Sequence, residues 1–302
     1  MGDAVSRSEA EVLPAYMRRL RALTWNGFGF TLPVRWEVTG YGLKPALGRF
    51  QFHDRAQAMG ELSWRTLAGA PDLPRMMGDV LRRYLAAEQP EAVAGFQAAT
   101  CQRQGEWLLA WHGPGAPLLA GLWKENQHIL LQWFIPGFSP ERLQQVQALL
   151  DTYRHNERDP KEWRIFGLGL SLPSSFAVES LEAQSAYCTL RLENPASHQV
   201  VARRIGMVTQ TLGGSNLGEC YRRILNRSQA RVLAVQEETF HGHPAWRLDF
   251  ERKGVHRMDA LSGRWWQGQG WMWLDASEGR LYSCEQCGPP RSPRLDLAHA
   301  WR

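Results

Sequence analysis

Lysine is scarce in this 302-residue chain: only Lys44, Lys124, Lys161 and Lys253 stand among 35 basic Lys and Arg residues. Arginine therefore carries nearly all the positive charge, and GC-rich codon usage explains that more simply than selection for phosphate-binding forks. No block of like charge stands out, and a net charge of +5 over the whole chain does not indicate nucleic-acid binding. No run reaches the roughly 18 apolar residues of a membrane span, and the polar, acidic stretch from Met1 to Ala10 is unlike a secretory signal. A cytoplasmic protein without membrane insertion is expected. Five cysteines, an odd number, do not make a secreted disulfide framework. Gly27-Phe-Gly29 and the stretch Gly213 to Gly218 lack the Lys and Ser/Thr of a phosphate loop. A Ser nucleophile elbow and His-Glu-x-x-His are missing too. No reaction is indicated, so the chain is read as not an enzyme.

What the chain does have is repetition. Gly27-Phe-Gly29-Phe-Thr-Leu32-Pro33 recurs 140 positions later as Gly167-Leu-Gly169-Leu-Ser-Leu172-Pro173. The same offset pairs Phe50-Gln-Phe52-His-Asp54 with Leu190-Arg-Leu192-Glu-Asn194, and Gly78 to Leu85 with Gly218 to Leu225. One residue less pairs Trp107 and Leu109 with Trp246 and Leu248. Blocks in one order at one offset mark an internal duplication.

Each block reads as the same kind of element in both copies. Phe28, Phe30 and Leu32 alternate as in a strand that Pro33 stops. Arg49–His53 and Leu62–Leu67 read as a hairpin. Leu73, Met77, Val80, Leu81 and Tyr84 have helical spacing after Asp72 as N-cap. Antiparallel strands follow: Phe96–Cys101, Trp107–Trp111, Gly121–Trp123 and Ile129–Phe134. In the second copy these become Val235–Phe240, Trp246–Phe250, Trp271–Leu274 and Leu281–Cys284. Ser139 and Pro140 open a closing helix in the first copy only. The expected organisation is an N-terminal helix within 1–24, copy one over 25–154, a linker over 155–162, and copy two over 163–302. The last carries a Trp-rich insertion and a CxxC tail.

This order of elements resembles the PsbP-like domain, the family of the photosystem II extrinsic protein P, the Ran-release factor and the Eag chaperones of type VI secretion. The resemblance implies an α+β fold, with two tandem copies of an α/β/α sandwich around a central antiparallel sheet. It also implies a non-catalytic protein-binding, chaperone or assembly role, the fused pair imitating a chaperone dimer, with another protein as partner.

Two places carry candidate chemistry. The insertion holds Arg264, the adjacent Trp265 and Trp266, and Trp271. Strand alternation cannot send neighbouring tryptophans into one core, so one is expected at the surface as a partner anchor, unless the loop folds back and buries both. Cys284-Glu-Gln-Cys287 is half of a zinc knuckle, which His241 and His243 could complete. A redox thiol pair is the alternative to zinc, and a strand end followed by a tail is the plain one.

Overall fold

The computed structural model describes residues 20–301 apart from 45, 55–56, 89, 94–95, 97, 114, 156–158, 185, 254–264 and 291–293. The chain divides into two compact units. Phe30–Arg154 form the body of the first, and His155–Arg302 that of the second, which also takes in Leu23–Gly29.

The described chain opens with β1 (Leu20–Trp25) and β2 (Phe28–Pro33), joined through Asn26 and Gly27 at φ 48° and 86°. Asn-Gly tolerates the left-handed region that a tight hairpin turn requires. The first unit continues with β3 (Trp36–Lys44), β4 (Leu47–Asp54) and β5 (Gln57–Thr66). Helix α1 (Leu73–Glu88), the short α2 (Pro90–Val93), β6 (Thr100–Gln104) and β7 (Trp107–Trp111) follow. It closes with β8 (Leu118–Lys124), β9 (Ile129–Ile135), helix α3 (Pro140–Asp151) and β10 (Arg154–His155). Seven of these strands form one sheet in the order β3-β4-β5-β9-β8-β7-β6.

The second unit begins with the hairpin β11 (Lys161–Ile165) and β12 (Leu168–Leu172), then β13 (Ala177–Gln184), β14 (Tyr187–Glu193) and β15 (Gln199–Ile205). Helices α4 (Val208–Leu212) and α5 (Leu217–Arg227) precede β16 (Ala230–Phe240), β17 (His243–Lys253), β18 (Trp265–Asp275) and β19 (Arg280–Gly288). The one-turn α6 (Leu297–Ala300) ends it. Its sheet runs β13-β14-β15-β19-β18-β17-β16, the strand order of the first unit repeated.

Alternation explains the core. In β4 and β5, Phe50, Phe52 and Leu62 are fully buried while Arg49 and Arg65 stay exposed. Phe52 and Phe30 meet Trp133 with ring centroids 5.2 and 5.3 Å apart. Each such ring contributes about 1.5–3 kcal/mol of burial. Helix α3 adds Val146, Leu149 and Leu150, and starts where expected: Ser139 Oγ accepts the Arg142 N–H at 3.1 Å, with Pro140 behind it. Asp72 caps α1 in the same way, accepting from the Arg75 N–H at 3.1 Å.

The expected α+β fold, two α/β/α sandwiches, does not form. Strands account for 55% and helices for 21%, in three large, mostly antiparallel sheets: the two of seven strands and a third of five. Period-two alternation runs further than the repeated blocks showed. β16, β17 and β18 are eleven residues each, where the sequence marked segments of four to six. The supposed insertion is thereby an extension of the β17–β18 hairpin, paired as far as Lys253↔Trp265. Leu20–Trp25 is strand rather than the end of an N-terminal helix, whose remainder lies outside the described residues. Phe96 precedes β6 instead of opening it. The CxxC is no tail, because β19 runs through both cysteines.

Candidate functional site

The β3–β4 hairpin and the neighbouring ends of β5 and β9 enclose an open groove of about 520 Å³ in the first unit. Register divides the lining residues between the two faces of the sheet: Lys44, Leu47, Arg49, Ser63, Arg65 and Gln132 share one, while Leu43, Gly48 and Trp64 share the other, where a Cβ on Gly48 would strike the ring of Trp64. Leu47, 47% exposed, supplies aliphatic surface on the cationic face. The groove's charged lining is Lys44, Arg49 and Arg65; no carboxylate is among its lining residues.

A second cavity of about 330 Å³ shares Arg65 and continues onto α1 with Arg75, Arg83, Met76, Asp72 and Asp79. Arg65 Nη2 is held 2.9 Å from Met76 Sδ, and Arg83 Nε donates to the Asp79 carbonyl at 3.3 Å. Both carboxylates are engaged, Asp72 in capping the helix and Asp79 with Arg82 at 3.6 Å. Arg49 reaches Glu61 at 3.8 Å, a loose and solvated pair.

The second unit uses the same sheet positions differently. Arg49 pairs with Ser63, and Ser63 with Gln132, in the first unit; in the second Thr189 pairs with Arg203, and Arg203 with Ser283. Thr189, Arg203 and Ser283 are all buried. Arg203 Nη2 donates to Glu285 Oε1 at 2.9 Å, and the Tyr221 hydroxyl donates to Glu285 Oε2 at 3.4 Å. Burial alone would raise the Glu285 carboxyl, but the Arg203 charge and hydrogen bond outweigh it and hold Glu285 below the usual range. Burial pushes the Tyr221 phenol well up, and the negative charge of Glu285 adds to this. Gly270 makes the arrangement fit, since a Cβ there would collide with the Tyr221 hydroxyl. One row further on, Arg252 Nη2 donates to Gln199 Oε1 and lies 2.6 Å from Cys287 Sγ. Burial nonetheless pushes the Cys287 thiol up to about 11, so it is neutral near pH 7.

Of the residues singled out in the sequence, Trp265 is 40% exposed and Trp266 wholly buried, as alternation requires. Trp271 is fixed in the sheet: its Nε1 donates to Glu238 at 3.0 Å, and its ring stacks on Phe240 at 5.3 Å. Arg264 lies outside the described residues. Cys284 and Cys287, three apart on a strand, point to opposite faces. His243 is four residues along β17 from Arg247, which is in register with Trp271 and Cys284, a separation of about 13 Å. His241 lies in the β16–β17 turn at φ 50°. The four expected zinc ligands are thus not brought together, and no group of three or more His, Cys, Asp or Glu among the described residues is placed to hold a metal. The groove has no motif in the sequence. Two glycines, two leucines and a tryptophan around one hairpin read as ordinary strand chemistry, and only the unmatched Lys44, Arg49 and Arg65 offered a signal.

Fold and groove together define a class: an antiparallel-sheet protein of two like units, one of which carries an open cationic groove. No protein-family model matches the chain, and no curated protein matches it. Among solved structures, the T6SS immunity protein TplEi from Pseudomonas aeruginosa, complexed with "L" peptide, is similar over 92% of this chain and 90% of its own, at 11% identity and a TM-score of 0.35. PA94, a Pseudomonas aeruginosa protein of unknown function, is similar over 43% of this chain and 83% of its own, at 16% identity and a TM-score of 0.26. Scores of this size do not establish a shared fold, and the PsbP-like resemblance gains no support from either. Among the described residues no helix is long and apolar enough to cross a membrane.

Proposed function

We propose that this chain is a non-catalytic protein-binding module and that the groove of the first unit is its contact surface. The observation that carries the reading is the groove's composition: the exposed Leu47 among three cations, with neither histidine, cysteine nor carboxylate among the described lining residues. Such a lining suits recognition, where arginine anchors beside apolar surface supply much of the binding energy. Its described lining offers no histidine, cysteine or carboxylate as general acid or base, only Lys44. The finer reading, a cytoplasmic chaperone or assembly factor, rests on the resemblance to the Eag chaperones and on nothing in the groove.

A photo-reactive amino acid in place of Leu47, introduced in the native host, tests the reading. We expect one discrete cross-linked protein that is absent when the same probe replaces Leu233, an exposed residue of the second unit. Identical cross-linking patterns from both positions would overturn it.

A further inference from the structure

The groove and the cavity beyond Arg65 share that residue in their linings, and in each the cations outnumber the carboxylates. We infer that they bind an extended acidic polypeptide segment with interspersed apolar side chains, laid across both cavities with Arg65 at their junction. This deepens the protein-binding reading and rests on it. Five cations, Lys44, Arg49, Arg65, Arg75 and Arg83, face three carboxylates: Asp72 and Asp79, both engaged within the helix, and Glu61, which Arg49 reaches at 3.8 Å. The excess of positive charge is therefore directed at something outside the unit.

The second unit supplies an internal precedent. Where Ser63 leaves space in the first unit, Arg203 fills the corresponding place, and a carboxylate, Glu285, neutralises it at 2.9 Å. The same sheet face thus accepts a carboxylate against a guanidinium when the chain provides one. In the first unit the position matching Glu285 is Phe134, paired with Glu61 as Glu285 is with Val201; Glu61 itself reaches Arg49 at 3.8 Å, which leaves Lys44 and Arg65 for a partner's carboxylates.

Leu47 and Met76 favour a polypeptide over a nucleic acid. They present aliphatic and thioether surface, and Trp64, at 8% exposure, offers no open ring on which a base could stack, the usual anchor for single strands. Guanidinium forks match carboxylates bidentately, while Leu47 and Met76 suit the partner's apolar side chains.

Fluorescence anisotropy on the full chain tests the inference. The probes are a labelled peptide alternating Glu and Leu, the same peptide with Lys for Glu, and a single-stranded oligonucleotide. We expect the Glu-Leu peptide to bind at least tenfold more tightly than either other probe, with affinity falling as salt rises. Arg65→Glu should weaken it at least tenfold, Arg65→Ala less, and Arg231→Glu on β16 not at all; circular dichroism checks that each variant is folded. Equal affinity for the Glu-Leu and Lys-Leu peptides, undiminished binding by folded Arg65→Glu, or tighter binding of the oligonucleotide would each overturn the inference. A discrete cross-link at position 47 without Glu-Leu binding would leave the protein-binding reading standing and remove only the acidic partner.

Discussion

On the sheet face that carries α1 in the first unit and α5 in the second, equivalent positions hold opposite kinds of residue. The first unit has Leu81, Leu119 and Phe134 there, packed with Met77, Leu108 and Ala110. Leu119 is in register with Phe134 as Gly270 is with Glu285, so the second unit has Tyr221, Gly270 and Glu285 instead. An apolar contact in one copy has become a buried ionic cluster in the other. The neighbouring surface changes with it: Arg49, Ser63 and Gln132 border an open groove, while Thr189, Arg203 and Ser283 are sealed. One strand order therefore tolerates either a closed, internally neutralised face or an open, cationic one. The groove belongs to the copy whose exposed cations outnumber the carboxylates beside them.

The largest expected effect comes from breaking the closed side. Glu285→Leu leaves Arg203 charged and buried, and should cost about 3–5 kcal/mol of stability, read by urea unfolding followed through tryptophan fluorescence. Transplanting the first unit's residues together, as Arg203→Ser, Tyr221→Leu, Gly270→Leu and Glu285→Phe, should recover that loss, because replacing a whole buried ion pair by packed apolar groups is commonly neutral or stabilising. If the fourfold variant is no more stable than Glu285→Leu, the equivalence of the two interfaces is wrong.

A smaller effect follows from Gly270→Ala, whose methyl meets the Tyr221 hydroxyl and the Glu285 side chain. It should cost about 1–3 kcal/mol, relieved in part when combined with Tyr221→Leu. An alanine as stable as wild type would show that the glycine is not making room.

Acid should separate the units as well. Glu285 is held below its unfolded value, and burial lowers His198 in the same sense. The unfolded chain then binds more protons, so both contributions are complete above the unfolded values and are lost as pH falls through the folded ones. Hydrogen exchange at falling pH should open β15 and β19 before β5 and β9; simultaneous opening would contradict this. The smallest effect is at Trp265→Ala, within about 0.5 kcal/mol, since that ring is solvent-facing; a larger loss in the melting profile would mean that it is covered.

The duplication was legible because hydrophobic alternation and turn residues constrain local structure strongly. Phe50 and Phe52 with Leu190 and Leu192, and Asp72, Ser139 and Pro140 as helix starts, all read directly. The extent of sheet was not. Trp265 and Trp266 look like an insertion when the copies are aligned, yet pair with Lys253 and Arg252 in a longer hairpin, and strand pairing is a nonlocal property that spacing does not encode. The cysteines misled for a related reason: CxxC suggests a metal turn only when a turn is present, and on β19 the two thiols diverge. The Arg203–Glu285 pair, 82 residues apart, had no local signature at all.

Thermal unfolding of wild type, Arg65→Ala and Arg203→Ala, each with and without the Glu-Leu peptide, tests the open-versus-closed contrast most directly. The peptide should raise the wild-type midpoint, since a ligand of the native state stabilises it. Arg65→Ala should keep the wild-type starting midpoint and lose most of the rise; Arg203→Ala should start lower and keep the rise. The reverse pattern, with Arg65 holding the fold and Arg203 holding the peptide, would contradict the account.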